Sequence, residues 1–181
     1  MNNDIFIIIP SRIGSTRLKN KPLADLNGKT LIQRVFNKAK EVTNNVIIAT
    51  DSKEIIDHCK QFNAECILTD KNHISGTDRI FEAATKLNLK NEQFIINLQG
   101  DEPFINIDAI NNLISSFKNN TVKMASLMTS FNSFDEINNP NNVKVTVDKN
   151  NYAIFFSRSP IPEGENEIKK FNRHIGVYAF R

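Results

Sequence analysis

The alternation of short apolar runs with amphipathic segments limits the folds open to this chain. Four continuous apolar stretches occur in its first half: DIFIII, NVIIAT, ECIL and QFIINL. Each is followed by a segment whose apolar residues recur at helical spacing. Short buried strands separated by amphipathic helices are typical of βαβ units, in which helices cover both faces of a parallel sheet. The pattern therefore predicts an α/β fold with a mostly parallel sheet.

Two of the helical segments show which side should face the core. Over residues 30–42 the apolar stripe consists of Leu31, Val35, Ala39 and Val42. Over residues 107–117 it consists of Ile107, Ile110, Ile114 and Phe117. Residues three or four positions apart lie on one face of a helix. Each stripe therefore predicts a helix that packs one side against the sheet.

The second half of the chain has a different pattern. Apolar segments that we interpret as strands alternate with polar turns, at residues 122–131, 142–148, 152–158 and 174–180. We interpret residues 134–142 and 160–168 as loops. No repeat or linker divides the sequence, so we predict a single domain over residues 1–181, which is long enough to bury a core. The chain stops directly after its last predicted strand, so we expect the C-terminal end of the domain to be truncated and part of the sheet to be uncovered.

The composition excludes several classes of protein. The formal net charge of +3 is too small for nucleic-acid binding over a whole face. The longest apolar run near the start, at residues 5–9, is far shorter than the roughly 20 residues of a membrane-spanning helix. The first four residues lack the basic region of a secretion signal. We therefore expect a cytoplasmic protein with neither a nucleic-acid nor a membrane partner.

The residues after the first strand concentrate positive charge. Four cations lie within ten residues there: Arg12, Arg17, Lys19 and Lys21. Gly14 lets the backbone approach a ligand, and successive backbone N–H groups in such a loop form an anion-binding concavity. The spacing matches neither a Walker loop nor a dinucleotide fingerprint. A basic surface turn is the plainer interpretation, but four cations at the end of the first strand favour a binding site for a triphosphate.

Further polar residues follow other predicted strands, and ligands of open α/β sheets bind at that edge. They include Thr50-Asp51, Ser75-Gly76-Thr77-Asp78-Arg79 and Gln99-Gly100-Asp101-Glu102. Asp101 is the natural counterpart of the cations, because Mg²⁺ accompanies triphosphates and is held by one or two carboxylates plus phosphate oxygens. An Asx turn or a helix cap is an equally good interpretation of this aspartate from the sequence.

Seven segments in a fixed order resemble one family. They are IIIPSRIGSTRLKNKPL, ATDS, SGTDRI, NLQGDEP, NNVKVTVD, YAIFFSRSPIP and RHIGVYAFR. Together they resemble the 3-deoxy-manno-octulosonate cytidylyltransferases, also called CMP-Kdo synthetases, along the whole chain. The resemblance implies a Rossmann-like nucleotidyltransferase fold, a three-layer sandwich with a mostly parallel sheet. It also implies transfer of CMP from CTP to the anomeric hydroxyl of Kdo, an acidic eight-carbon sugar, with release of pyrophosphate during lipopolysaccharide biosynthesis in a Gram-negative-type bacterium.

The resemblance also implies roles for individual residues. Arg12, Lys21 and Asp101 would be catalytic, and Asp101 would bind Mg²⁺. The nucleotide site would consist of Pro10, Ser11, Arg12, Gly14, Ser15, Thr16, Arg17, Lys21, Ser75, Gly76 and Arg79. The sugar acid would contact Gln99, Arg158, His174 and Tyr178. Two of these have plainer interpretations: Arg158 as a surface charge at a strand end, and His174 as a core histidine. Tyr178 lies on the same predicted strand face as His174, by the period of two, which favours a joint site.

Relatives of this family are homodimers and continue beyond the length of this chain. Their C-terminal part supplies further sugar contacts and a second metal-binding aspartate, so we expect weak or absent turnover from the 181 residues alone. A second interpretation is therefore a non-catalytic or split-enzyme fragment that binds CTP. Amino-substituted Kdo or another acidic sugar is an alternative substrate. A homodimer is a further expectation.

Overall fold

The computed structural model describes residues 4–14, 20–118, 121–164 and 167–181. The chain forms two compact units. The first unit consists of Met1–Ala125 with Val177–Arg181, and the second consists of Ser126–Gly176. The prediction of a single domain over residues 1–181 stays a prediction.

A mixed, mostly parallel sheet organises the first unit. Its parallel strands are β1 (Ile5–Ser11), β2 (Val46–Thr50), β3 (Glu65–Leu68) and β4 (Phe94–Asn97). They lie in the order β3-β2-β1-β4, and the C-terminal part of strand β8 (Asn172–Phe180) pairs antiparallel with β4. The chain thus leaves β1 toward β2 on one side and reaches β4 on the other. This reversal of strand order is a topological switch point, where ligands of such sheets bind.

Four helices follow the strands of the first unit, as the sequence predicts. They are α1 (Leu31–Lys40), α2 (Lys53–Lys60), α3 (Gly76–Lys86) and α4 (Ile107–Ser116). Helix α1 begins at a cap, since the Thr30 hydroxyl accepts a hydrogen bond from the Gln33 backbone N–H. Isoleucines of β1 and β2, among them Ile8 and Ile47, are buried between the helices. The α/β prediction is confirmed.

The predicted core faces of α1 and α4 are mostly correct. Leu31, Val35 and Ala39 are buried, whereas Val42 lies beyond the end of α1 and is half-buried. In α4 the buried line runs through Ile110, Leu113 and Phe117, and Ile107 and Ile114 are only half-buried. Leu113 thus takes the buried position that the sequence assigned to Ile114, because both residues fit helical spacing and only packing against the sheet selects between them.

The second unit contains short antiparallel strands. Its elements are most of β5 (Met124–Ser130), α5 (Phe134–Asn138), β6 (Lys144–Val147), β7 (Ala153–Ser157) and the first part of β8. Strand β6 pairs antiparallel with both β7 and β8. Phe131, Ile137 and Phe171 form a small buried cluster in this unit. The four strands that the sequence predicts after residue 121 are all present.

The prediction of a loop at residues 134–142 was wrong over its first half, where α5 forms. The Ser133 hydroxyl accepts a hydrogen bond from the Glu136 backbone N–H, and the Glu136 carboxylate accepts one from the Asn132 backbone N–H. This is a helix start of the kind that Ser-x-x-Glu favours. Ile137 is buried and fixes the short helix to the unit.

Candidate active site

A cleft of about 500 Å³ opens at the carboxyl ends of β1 and β4. It is lined by Pro10, Ser11, Arg12, Lys21, Pro22, Leu31, His73, Ile74, Ser75, Gly76, Arg79, Gln99, Gly100 and Asp101. All of these residues belong to the first unit. The cleft therefore lies at the switch point, where the polar residues after separate strands come together.

Two glycines let the walls of the cleft meet at Pro10. A Cβ atom on Gly76 would lie 3.3 Å from the Pro10 side chain, and one on Gly100 would lie 3.1 Å from the Pro10 carbonyl oxygen. The start of α3 and the turn after β4 thus both pack directly on the end of β1. This packing fixes the backbone around the base of the cleft.

Lys21 and Asp101 form an ion pair across the cleft. The Lys21 ammonium lies 2.5 Å from the Asp101 carboxylate, and both side chains are partly exposed. A 3₁₀ turn at Lys21–Leu23, with Pro22 buried in it, places the lysine. Arg12 is exposed and lines the same cleft. The cleft therefore combines two cations, which can pair with the phosphates of a polyphosphate, with one carboxylate, which can bind its metal ion.

Ser11 presents a buried polar atom at the same edge. Its hydroxyl oxygen has no hydrogen-bond partner within the part of the chain that the structure describes. Leaving a buried hydroxyl unsatisfied costs about 1–3 kcal/mol, so such groups in native proteins commonly have a ligand or water as partner. Because Ser11 lines the cleft, this atom supports ligand binding there.

Arg79 lies at the floor of the cleft and is almost fully buried, with 3% of its surface exposed. Its guanidinium donates one hydrogen bond to the Asp51 carboxylate, at 2.8 Å, and another to the Thr69 hydroxyl. These contacts connect the ends of β2 and β3 with α3. The cation is therefore occupied by protein partners, and its geometry fits a structural support of the cleft.

The loop between β3 and α3 forms one wall of the cleft, and a single carboxylate holds it. Glu82 accepts a hydrogen bond from the Asp70 backbone N–H at 2.8 Å and one from His73 Nε2 at 2.5 Å. Its other oxygen lies 2.7 Å from the Lys86 ammonium. Lys86, the Asp70 N–H and His73 together lower the pKa of Glu82 to about 2. His73 and Glu82 were not predicted from the sequence. The position of His73, two residues before Ser75, was the available signal for that residue.

Comparison with known proteins agrees with this geometry. The cytidylyltransferase family model matches residues 6–181. A 3-deoxy-manno-octulosonate cytidylyltransferase of Francisella tularensis subsp. novicida is 47% identical, over 98% of this chain and 75% of the relative. The chain belongs to the cytidylyltransferase family. The predicted resemblance is thereby confirmed, as is the prediction of a nucleotidyltransferase.

Two further similarities support the family membership. A 3-deoxy-manno-octulosonate cytidylyltransferase of Fusobacterium nucleatum is 46% identical, over 96% of this chain and 71% of the relative. The solved structure of a CMP:2-keto-3-deoxy-manno-octonic acid synthetase complexed with CTP superimposes with a TM-score of 0.90 at 37% identity, over 98% of this chain and 73% of that one. The Rossmann-like nucleotidyltransferase fold is thereby confirmed.

Most of the residues predicted for the nucleotide and the metal ion line the cleft. Those that do are Pro10, Ser11, Arg12, Lys21, Ser75, Gly76, Arg79 and Asp101. Gly14 is exposed and is not among the lining residues. The predictions for Ser15, Thr16 and Arg17 fall outside the described residues. The roles themselves remain predictions.

The residues predicted for the sugar acid are divided between the two units. In the first unit, Gln99 lines the cleft and its amide donates to the Asn97 side chain at 2.9 Å. Tyr178 lies opposite Asn97 in the antiparallel pair of β4 and β8. Burial raises the pKa of Tyr178, so its phenol keeps its proton at neutral pH. Gln99 and Asn97 are thus joined by a hydrogen bond between neutral side chains, and Tyr178, also neutral, lies on the strand beside them.

In the second unit, Arg158 and His174 are held by specific contacts. Arg158 donates to the Pro140 carbonyl at 2.8 Å, and the buried Lys144 ammonium donates to the Arg158 carbonyl at 2.7 Å. His174 Nε2 lies 2.8 Å from the Ser126 hydroxyl, and its ring meets Phe156 edge to face. Burial lowers the pKa of His174. The histidine is thus a partly buried, neutral group at neutral pH.

The described residues do not supply a complete metal site of their own. Within them, no group of three or more His, Cys, Asp or Glu side chains lies close enough to hold a metal ion. Mg²⁺ commonly keeps several waters and binds through one or two carboxylates plus substrate phosphates. Asp101, already paired with a cation, fits one such carboxylate. No helix in the described part of the chain is long and apolar enough to cross a bilayer.

Proposed function

We propose that this chain transfers CMP from CTP to the anomeric hydroxyl of Kdo and releases pyrophosphate, as a step of lipopolysaccharide biosynthesis. The observation that carries the proposal is the cleft at the switch point, into which Arg12, Lys21 and Asp101 all face. Relatives at 46–47% identity that bear the name of this activity support it.

The chemistry requires charge neutralisation more than covalent catalysis. The sugar hydroxyl attacks the α-phosphorus of CTP, and the bond to the bridging oxygen of pyrophosphate breaks. Negative charge grows on the leaving group, and cations placed beforehand in a cleft stabilise it. Arg12 suits this role because a planar guanidinium can donate to two phosphate oxygens at once, and Lys21 would contribute a point charge.

Mg²⁺ is part of the proposal. Asp101 would hold it together with phosphate oxygens, and the ion would neutralise charge on the triphosphate. Lys21 pairs with Asp101 in the structure, and we propose that this ammonium turns to the phosphates when CTP and its metal ion bind. Lys21 would then exchange one anionic partner for another without losing its charge balance.

The remaining assignments stay predictions. Gln99, Arg158, His174 and Tyr178 are proposed as contacts of the sugar acid, and an arginine such as Arg158 suits a carboxylate by bidentate pairing. A cytoplasmic location and a homodimer are proposed with them, supported by the resemblance alone.

The test is calorimetry of CTP binding followed by an assay of pyrophosphate release. The 181-residue chain is mixed with CTP and Mg²⁺, with and without Kdo. We expect Lys21→Met to weaken CTP binding at least tenfold, whereas Lys118→Met, which removes an exposed lysine that does not line the cleft, leaves it unchanged.

Release of pyrophosphate that depends on Kdo supports the full proposal. CTP binding without release would favour the alternative interpretation of a CTP-binding fragment or split enzyme. A folded chain without affinity for CTP would contradict the proposal.

A further inference from the structure

The loop at residues 70–75 forms an exposed wall of the cleft. Of its residues, only His73 is half-buried, and Ile74 is 94% exposed. A loop with so little buried surface opens at a small free-energy cost unless polar contacts fix it. Its position at the cleft therefore depends on the hydrogen bonds at its two ends.

The C-terminal end of the loop is fixed by a helix cap. The Ser75 hydroxyl accepts the Asp78 backbone N–H at 3.2 Å, and the Asp78 carboxylate accepts the Ser75 backbone N–H at 3.1 Å. This reciprocal pair is a capping box. Gly76 follows at once and packs on Pro10.

The N-terminal end and the middle of the loop are fixed by Glu82. The same oxygen accepts from the Asp70 backbone N–H, at 2.8 Å, and from His73 Nε2, at 2.5 Å. Glu82 lies on the second turn of α3, the helix whose first turn is the capping box. One rigid helix thus holds the loop at both ends, and Lys86 on the next turn holds the Glu82 carboxylate.

The two sides of the cleft differ in chemistry. Arg12 and Lys21 supply cations on one side, whereas the loop side presents Ile74, Ser75 and Gly76, which carry no charge. Two further lining residues of the loop side already have partners: Arg79 pairs with Asp51, and His73 pairs with Glu82. A triphosphate belongs against the cations, because charge-assisted hydrogen bonds are the strongest contacts available to it. The uncharged nucleoside is then left for the loop side.

We propose that Glu82 is a positioning residue for nucleotide binding, which holds the loop at residues 70–75 in the place where it contacts the nucleoside of CTP. The inference rests on the proposed function. A positioning role predicts that loss of Glu82 weakens binding of the nucleoside part of CTP and leaves binding of the triphosphate part intact. A purely structural role predicts that binding of both parts is weakened.

The test compares two ligands by calorimetry, CTP with Mg²⁺ and inorganic tripolyphosphate with Mg²⁺. We expect Glu82→Ala to raise the Kd for CTP about tenfold, since the loop loses two hydrogen bonds to an ionised acceptor. We expect its Kd for tripolyphosphate to stay within about twofold. Glu82→Gln keeps an acceptor for the Asp70 N–H. We therefore expect its Kd for CTP to lie between the values for Glu82→Ala and for the unaltered chain.

Glu54→Ala is the matched control, because it removes an exposed glutamate from another helix, α2, and this residue does not line the cleft. We expect its Kd for CTP to stay within about twofold. If the unaltered chain fails to bind CTP, the proposed function is wrong. If it binds CTP and Glu82→Ala binds it equally well, or loses both ligands to the same extent, the inference about Glu82 is wrong.

Discussion

Removing the Arg79 side chain tests whether the floor of the cleft is held by a buried ion pair. Arg79 is 3% exposed and the Asp51 side chain is 18% exposed, and their charged atoms are 2.8 Å apart. Arg79→Met keeps most of the apolar stem but leaves a largely buried carboxylate without its cation. The Thr69 hydroxyl loses its charged donor as well.

The expected loss of unfolding free energy follows from the burial of Arg79 and Asp51. Removing one member of a buried ion pair typically destabilises a protein by about 3–5 kcal/mol, because the remaining charge is left unpaired. Water reaches part of Asp51, so we expect the lower end, about 3 kcal/mol, for Arg79→Met. Asp51→Asn leaves the more deeply buried arginine without its anion and should cost about as much. The double variant has no unpaired charge and should cost about 2 kcal/mol less than the sum of the two single variants.

Urea unfolding followed by far-ultraviolet circular dichroism measures these values for the four proteins of the cycle. Equal slopes with shifted midpoints would show that stability, and not the unfolded state, has changed. The reasoning is refuted if Arg79→Met costs less than about 1 kcal/mol, or if the two single costs add to within about 0.5 kcal/mol in the double variant.

Three further predictions concern single residues. Gly100→Ala should lower the free energy of unfolding by about 1–3 kcal/mol, because its Cβ would lie 3.1 Å from the Pro10 carbonyl; an unchanged urea midpoint would contradict this. Because the pKa of Glu82 is lowered from 4.5 to about 2, its ionisation stabilises the fold above pH 4.5, and that stabilisation is lost as the pH falls toward 2. Acid titration of Glu82→Gln should therefore show a shallower loss of stability over this window than the unaltered chain, and equal slopes would exclude the effect. Burial lowers the pKa of His174, so its nuclear magnetic resonance signals should titrate with a midpoint below 6.5; a midpoint above 6.5 would show that burial does not dominate.

The same His174 shift has a consequence for stability. Below its unfolded pKa of 6.5 the unfolded chain binds more protons at this histidine than the folded chain does. This contribution to the free energy of unfolding therefore rises with pH until the unfolded histidine is neutral. His174→Asn should flatten that part of the pH profile, and thermal unfolding across this range measures it.

The strands of the first unit could be predicted because each is a continuous apolar run, and the helices because their apolar residues recur at helical spacing. The predicted strand at residues 4–9 and the predicted helix at residues 30–42 agree within two residues with β1 (Ile5–Ser11) and α1 (Leu31–Lys40). Helix α5 was missed because only five residues form it and asparagines follow it, so no repeat is visible. Its cap at Ser133 was the available signal.

The site could be predicted as far as local position determines it. Arg12, Lys21 and Asp101 follow strands, so the sheet alone brings them to one edge. The partners of Arg79 and His73 could not be predicted, because Asp51 and Glu82 reach them through tertiary packing between elements whose register the sequence does not reveal. Such contacts decide whether a cation such as Arg79 is available to bind a ligand or is held by protein partners that stabilise the cleft.

The most direct test of the proposed reaction is phosphorus nuclear magnetic resonance of the chain with CTP, Mg²⁺ and Kdo. The proposal predicts equal amounts of pyrophosphate and of a new phosphodiester, formed only when CTP and Kdo are both present. An unchanged spectrum from a folded chain that binds CTP would favour the CTP-binding fragment or split enzyme. Pyrophosphate formed together with free CMP at the same rate without Kdo would contradict cytidylyl transfer to this sugar.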